Sequence, residues 1–381
     1  MNRNTALLVL LSALALVAGC APGFEALKSY KPQRDIISQY RINANGNDLI
    51  ESPSALLDSV LYERKLNGAI GAQPIGNDQI LIVPTFTQRI YFVDPNTGKD
   101  ITYIRTKAPV GSAVALNGVY LYYVQEAGAD LLTCMDVLTG RTEWSFKVID
   151  PQGAPIIKAN FIYLTSRLGK LFKLNRDDGT VIWKFESTCQ FYSAPAVAKD
   201  KVVVGNDKGE IIALNDSDGN QAWSFKTDRP IYSQPLIDDR VYCGSGDGNM
   251  YALDVDNGKS VWNFKTEYGI HSTPVKANGR LFFGSDDKFI YCLDPIDGKL
   301  FWKFGTDGII QSSPIFLGNT MLIGNSAGDI YQFAENGTLL KTEKVKGSIT
   351  APFTVIGDKL FVVTRGRYLY AYRLVPPRSA D

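Results

Sequence analysis

The sequence predicts an all-β fold, an eight-bladed β-propeller with four-stranded antiparallel blades, and three observations lead there. All five tryptophans (Trp144, Trp183, Trp223, Trp262 and Trp302) stand 39, 40, 39 and 40 residues apart, a period that marks a repeat architecture. Turn glycines keep nearly the same period, at Gly98, Gly140, Gly179, Gly219, Gly258, Gly298 and Gly337. A third landmark, usually proline, opens the first strand of each unit at Pro74, Val114, Pro155, Pro195, Pro235, Pro274, Pro314 and Pro352. The chain therefore carries eight openings but seven glycine turns.

Each unit reads as four strands. Apolar runs such as Ile315-Phe-Leu, Leu281-Phe-Phe-Gly and Ile290-Tyr-Cys-Leu supply the inner three, and the run ending in Trp-x-Phe supplies the outer one. Turns at Asn278-Gly279, Gly357-Asp358 and Asp247-Gly248 offer the positive φ that tight hairpins need. The eighth unit stops one strand short. Counting 12 residues back from Pro74, as tryptophan stands 11 or 12 before the other openings, lands on Tyr62 in Ser59-Val-Leu-Tyr-Glu-Arg-Lys65. That run is predicted to complete the last blade and close the ring, which removes exposed sheet edges. The expected organisation is a signal peptide over 1–19, a lipidated tether over 20–58, the propeller over 59–375 and a tail over 376–381.

The spacing Asp-x-x-x-Gly-x-x-x-Trp has a mechanical reading. Asp or Asn at 94, 136, 175, 215, 254 and 294 accepts hydrogen bonds from the turn backbone, the glycine turns left-handed, and the tryptophan packs against the neighbouring blade. Burying one indole removes ~150–250 Å² from water, an upper bound of about 4–6 kcal/mol. Placement at one position in five blades is what packing demands, so Trp144, Trp183, Trp223, Trp262 and Trp302 are assigned to blade docking.

Residues Ala252-Leu-Asp254-Val-Asp-Asn-Gly258-Lys-Ser-Val-Trp262 resemble the tryptophan-docking repeat of the PQQ-like propellers, the family of the pyrroloquinoline quinone dehydrogenases. They differ from WD40 repeats, because no Trp-Asp pair ends a blade. The N-terminus adds a second resemblance. Arg3, an apolar run from Ala6 to Val17 and small residues before Cys20 read as a secretory signal, and Val17-Ala-Gly-Cys20 resembles the bacterial lipobox, which implies lipid attachment at Cys20. Ala21 after the cysteine implies sorting to the outer membrane. Lipobox, eight blades and length together resemble the lipoproteins of the outer-membrane β-barrel assembly machinery.

Composition narrows the function. Lys plus Arg number 40 and Asp plus Glu 39, and removal of Arg3 with the signal leaves 39 of each. Such balance carries no footprint for nucleic acid or for a polybasic membrane patch. Cys134 and Cys292 hold the same strand position in units four apart, across a ring of eight and beyond the ~7 Å a disulfide allows between Cα atoms. With Cys189 and Cys243 at non-equivalent positions, all four are expected to be buried free thiols.

His271 is the only histidine, which excludes multi-histidine metal sites and a histidine relay. The acidic pairs Asp216-Ser-Asp218 and Asp286-Asp287 fall at turns and complete no calcium loop. No catalytic group, metal or cofactor is therefore expected. One variable feature stands out. Ahead of the strand openings, a Ser or Thr recurs at 112, 193, 233, 272, 312 and 350, and the residue before it varies as Tyr192, Tyr232, His271 and Gln311 over four adjacent blades. Alternation places these four at the channel mouth, on the face of the turns at Asp207-Lys208, Asp287-Lys288 and Arg365-Gly-Arg367, as a candidate partner or ligand face. The expected function is a non-enzymatic, lipid-anchored periplasmic scaffold, monomeric within a complex, whose partner is an outer-membrane β-barrel assembly protein or another envelope protein. The alternatives are a quinone-binding enzyme or sensor and a propeller that binds cell-envelope polysaccharide.

Overall fold

The computed structural model describes residues 27, 30–31, 37–38, 49–50, 54–126 and 131–377. The signal peptide and Cys20 lie outside the described residues, as do residues 378–381 of the tail. Eight sheets make the ring. Blade 1 begins at Ile75–Gly76 and ends at the outer strand Asp100–Arg105. Blades 2 to 7 begin at Ala115, Pro151, Ala196, Leu236, Val275 and Ile315. Blade 8 has Thr354–Ile356, Lys359–Val363 and Tyr368–Val375 as its inner three strands, and its outer strand is Leu56–Lys65 from the N-terminal end.

The closure is antiparallel, with Tyr62 opposite Ala371 and Lys65 opposite Tyr368. The strand starts at Leu56 rather than at the expected Ser59. Leu57 is buried between blades 7 and 8, and its N–H donates to Gln332 Oε1 over 2.8 Å. Blade 3 also differs from expectation. Its inner strand opens at Pro151, four residues before Pro155, and bulges between Gln152 and Ile156.

The sequence of apolar alternation explains the packing. Second and third strands are buried almost throughout, while outer strands alternate, as in Ser260–Lys265. Eight apolar clusters each join two neighbouring blades, as where Trp223, Ala213 and Ile211 of blade 4 meet Ile237, Val241 and Leu253 of blade 5. A methyl group added at Gly258 would lie 2.5 Å from the Trp223 ring, and at Gly179, Gly219, Gly298 and Gly337 it would strike Trp144, Trp183, Trp262 and Trp302 in the same way. With φ near 70°, Gly258 is left-handed, so glycine is required there twice over.

Hydrogen bonds complete the latch. The indole Nε1 donates to the carbonyl of Arg176 from Trp144, of Asp216 from Trp183, of Val255 from Trp223 and of Pro295 from Trp262, over 2.8–3.1 Å. Trp302 is the exception. Its Nε1 has no hydrogen-bond partner among the described residues, and the Glu335 carbonyl at the matching place accepts Arg280 Nη1 instead. Tyr62 plays the tryptophan's part at the closure: its ring covers Gly98 at 2.7 Å from an added methyl, and its hydroxyl donates to the Pro95 carbonyl over 3.3 Å.

At its described points the segment 20–58, expected to be a lipidated tether, docks on the ring. Leu27 and Tyr30 are buried against blades 1 and 2. The Tyr30 hydroxyl donates to the Gly118 carbonyl over 3.1 Å, and the Lys31 N–H donates to Gln79 Oε1 over 2.8 Å. Ile37–Ser38 pairs antiparallel with the inner strand of blade 2, and Leu49–Ile50 parallel with that of blade 7. The physical reason is plain. Inner strands offer a free hydrogen-bonding edge toward the channel, and Leu27 and Tyr30 supply apolar surface to anchor the segment.

Three of the four cysteines are buried free thiols as expected, and Cys189 is the correction, being half-buried. Burial pushes Cys134, Cys243 and Cys292 up to about 12.

Candidate functional site

The channel mouth is built from two rings of residues, one in each blade. The first ring precedes the inner strand. It carries Tyr192, Tyr232, His271 and Gln311 on four adjacent blades, and all four line a cavity of about 410 Å³. Their rings touch in sequence. Tyr192 and Tyr232 centroids lie 5.5 Å apart, tilted by 58°, and Tyr232 and His271 lie 5.1 Å apart, edge to face at 73°. Tyr232 is 43% exposed and forms the crest of this arc.

The arc is fixed from beneath. His271 Nδ1 lies 2.7 Å from Asp286 Oδ2, so the carboxylate orients the imidazole and leaves Nε2 as its other polar atom. Gln311 Nε2 approaches the other oxygen of the same carboxylate at 3.4 Å. The Tyr192 hydroxyl donates to Gln190 Oε1 over 2.6 Å, and the Arg167 guanidinium stands 5.9 Å from the centre of the Tyr192 ring.

The second ring went unread in the sequence. It is the first or second residue after the second strand of each blade: Phe86, Glu126, Arg167, Asp207, Gly246, Asp286, Ser326 and Arg365. Each donates its backbone N–H to the segment that enters the inner strand, at Ala69, Pro109, Asp150, Gln190, Pro230, Gly269, Ile309 and Ser348. The backbone hydrogen bond recurs eight times while six residue types occupy the position. Where the first ring is small, the second fills the space: a methyl group on Gly71 or Gly111 would lie 2.3–2.4 Å from the Phe86 ring. Glu126 stands beside Gly111 and Ser112, and burial raises its pKa although Arg167 partly offsets this. The signal was available as a 40-residue period at turn positions, but six residue types share the eight places, and no type pattern marked it.

Deeper in the mouth several polar atoms lack partners. Ser193 and Gln234 are 6% and 2% exposed. Ser193 Oγ, Gln234 Oε1 and Ser112 Oγ line the cavity with no hydrogen-bond partner among the described residues. Buried polar atoms are normally satisfied, so these three are available to a ligand or to water. The mouth thus joins an aromatic arc, mixed charge from Arg167, Arg365, Glu126 and Asp286, and unsatisfied hydroxyl and amide groups.

The match to known proteins falls on the blades where the repeat is most regular. Residues 150–268 and 265–340, together half of the chain, match the family described as outer membrane protein assembly factor BamB. The chain belongs to the BamB family. The crystal structure of BamB from Moraxella catarrhalis superposes with a TM-score of 0.67 at 16% identity, covering 84% of this chain and 100% of that one. A computationally designed protein, Ika8, superposes at 0.74 with 14% identity, covering 83% and 100%. The quinohemoprotein alcohol dehydrogenase ADHIIG from Pseudomonas putida HK5 superposes at 0.73 with 12% identity, covering 95% and 83%. At these identities the superpositions show the shared propeller fold. No curated protein matches the chain.

Within this BamB-family mouth the residues fit a pyrroloquinoline quinone poorly. That cofactor is a planar tricarboxylate, which calls for parallel stacking faces and an excess of cations. The rings here are tilted or edge-on, and Arg167 and Arg365 are balanced by Glu126 and Asp286. Among the described residues no group of three or more His, Cys, Asp or Glu is placed to hold a metal ion.

Proposed function

We propose that the protein is a lipid-anchored periplasmic scaffold that assists assembly of β-barrel proteins into the outer membrane, held to that membrane through Cys20. Membership of the BamB family is the observation that carries this reading. The rigid ring, latched at six blade boundaries by Trp or Tyr62, suits a protein that presents a fixed surface to a partner. The mouth arc of Tyr192, Tyr232, His271 and Gln311 is the proposed partner face, and its mixed charge and unpaired hydroxyl and amide groups suit a polypeptide loop.

Docking of Leu27 shortens the anchor. Seven residues from Cys20 to Leu27 reach at most about 25 Å, against the more than 100 Å available to a wholly free tether. In this reading the face that carries Gly118 lies close to the bilayer and the mouth looks into the periplasm.

Membrane fractionation and affinity purification test the proposal together. The intact chain is expected in the outer-membrane fraction, co-eluting with a β-barrel assembly protein. Cys20→Ala is expected to move it to the soluble periplasm, and Tyr192→Ala with Tyr232→Ala and His271→Ala to abolish co-elution while leaving the fold intact. An unaltered fractionation or unaltered capture would overturn the corresponding half.

A second reading, a quinone enzyme or sensor, is favoured by the fold shared with quinohemoprotein alcohol dehydrogenase. Incubation with pyrroloquinoline quinone and calcium separates the two, because a bound chromophore with alcohol-dependent turnover belongs only to the enzyme.

A further inference from the structure

The mouth divides into two chemically distinct halves. Tyr192, Tyr232, His271 and Gln311 belong to blades 4 to 7, whereas Arg365, Phe86, Glu126 and Arg167 belong to blades 8, 1, 2 and 3. Among the described residues Glu126 is the one acid that lines the cavity.

No counterion meets it. Its carboxylate is partly buried, Asp150 adds a second negative charge nearby, and only the backbone N–H groups of Gly111 and Ser112 and the more distant Arg167 act in its favour. Arg167 is engaged elsewhere: its Nε donates to Gln152 Oε1 over 2.8 Å, and its guanidinium stands 5.9 Å from the centre of the Tyr192 ring. Among the described residues no Lys or Arg forms an ion pair with Glu126. Residues 127–130, next in the chain, are Ala-Gly-Ala-Asp and bring no positive charge. A carboxylate withdrawn from water without a cation costs stability, and local conflicts of this kind concentrate at functional sites.

Phe86 supplies the other half of a cation site. A methyl group on Gly111 would lie 2.4 Å from the Phe86 ring and 3.1 Å from both oxygens of Glu126, so ring and carboxylate stand side by side over one glycine. The ring is 45% exposed. An exposed aromatic ring beside a carboxylate attracts a cation twice, through its quadrupole and through the neighbouring charge. A guanidinium suits the pair better than an ammonium, because its plane stacks on the ring while its fork of N–H donors reaches the carboxylate.

We propose that Phe86 and Glu126 form a socket for an arginine side chain carried on a loop of the partner protein. The proposal rests on the mouth being the partner face, as above, and names the residue that this face reads. The loop that bears the arginine extends toward the aromatic half, where Gln234 Oε1 and Ser193 Oγ, buried and without hydrogen-bond partners among the described residues, are placed to accept its backbone N–H groups.

Two measurements let the socket and the partner reading fail separately. In the first, the folded chain is unfolded by heat in the presence of acetyl-arginine amide or of acetyl-citrulline amide, which has nearly the same shape and no charge. The arginine amide is expected to raise the unfolding temperature saturably, by about 2 °C at ten times its half-saturating concentration. The citrulline amide is expected to leave it unchanged, and the arginine effect to vanish in Glu126→Gln and to shrink in Phe86→Leu. In the second, affinity purification from envelope extracts is expected to yield about tenfold less co-eluting β-barrel assembly protein with Glu126→Gln than with the wild type. Equal stabilisation by the two amides, an arginine effect that survives in Glu126→Gln, or undiminished capture by that variant would overturn the socket. Failure of the wild type to capture any assembly protein would count against the partner reading, and the amides alone would then decide the socket.

Discussion

The boundaries between blades 4 and 5 and between blades 1 and 2 have the same backbone frame and opposite contents. In the first, Trp223 covers Gly258 and donates to Val255. In the second, Thr102 stands at the indole's register, and Leu27 and Tyr30 from the N-terminal segment pack into the cluster that joins the two blades. The contrast teaches that the turn glycine and its Asp set the frame, while a single side chain on the preceding blade decides whether that blade itself supplies the aromatic latch.

Truncation should separate the two boundaries most sharply. Trp223→Ala is expected to cost about 3–5 kcal/mol, the transfer energy of the indole plus the cavity it leaves, and Thr102→Ala less than about 0.5 kcal/mol. Chemical denaturation of both variants reads the difference; comparable losses would show that the latch is not where the cohesion lies.

The closing boundary ranks next. Tyr62→Ala is expected to cost about 3 kcal/mol by the same reasoning, and Tyr62→Phe, which keeps the ring over Gly98 but removes the hydrogen bond to Pro95, about 1 kcal/mol. Amide hydrogen exchange over Leu56–Lys65 should speed up in Tyr62→Ala before the other blades respond. Uniform acceleration around the ring would mean that the closing strand Leu56–Lys65 is not a separate unit.

Acidity gives a smaller effect of opposite sign at two carboxylates. At Asp247, burial alone would raise the pKa, but the Asn249 N–H and the Tyr251 hydroxyl outweigh it and hold the group low. Its contribution is present above the unfolded value, about 3.9, and is lost as pH falls through the lower folded value. Glu126 is raised by burial, so it penalises the fold as pH rises from about 4.3 through its higher folded value. Asp247→Asn should flatten the acid limb of the stability curve, and Glu126→Gln should stabilise the protein near neutrality. Parallel curves for both variants and the wild type would contradict these signs.

The smallest expected effect is chemical. Cys189 is the one half-buried thiol among the four described, so brief alkylation of the native protein should label it alone. Cys134, Cys243 and Cys292, raised by burial to about 12, should react only after unfolding. Labelling of Cys243 under native conditions would show that the blade cores open readily.

Much of this was legible in one dimension because each blade repeats a local rule. The tryptophan period gave the blade count, the shortfall of one glycine turn gave the closure, and Tyr62 was found by counting. The aromatic arc at the mouth was legible for the same reason, since Tyr192, Tyr232, His271 and Gln311 share a repeat position. The second ring was not, because Phe86, Glu126, Arg167 and Asp286 share a backbone bond and no chemistry. Nor was the docking of Tyr30 and Lys31, whose hydrogen-bond partners Asn77, Gly118 and Gln79 lie far along the chain.

Sequence alone determined the fold class, the number of blades and the residues that latch them, because those depend on contacts repeated at a fixed spacing. Tertiary structure decided which atoms meet partners and which do not: the orphan atoms of Ser193 and Gln234, and the docking of Leu27 and Tyr30 between blades 1 and 2. Those follow from where separate blades meet in space, and no local period records that.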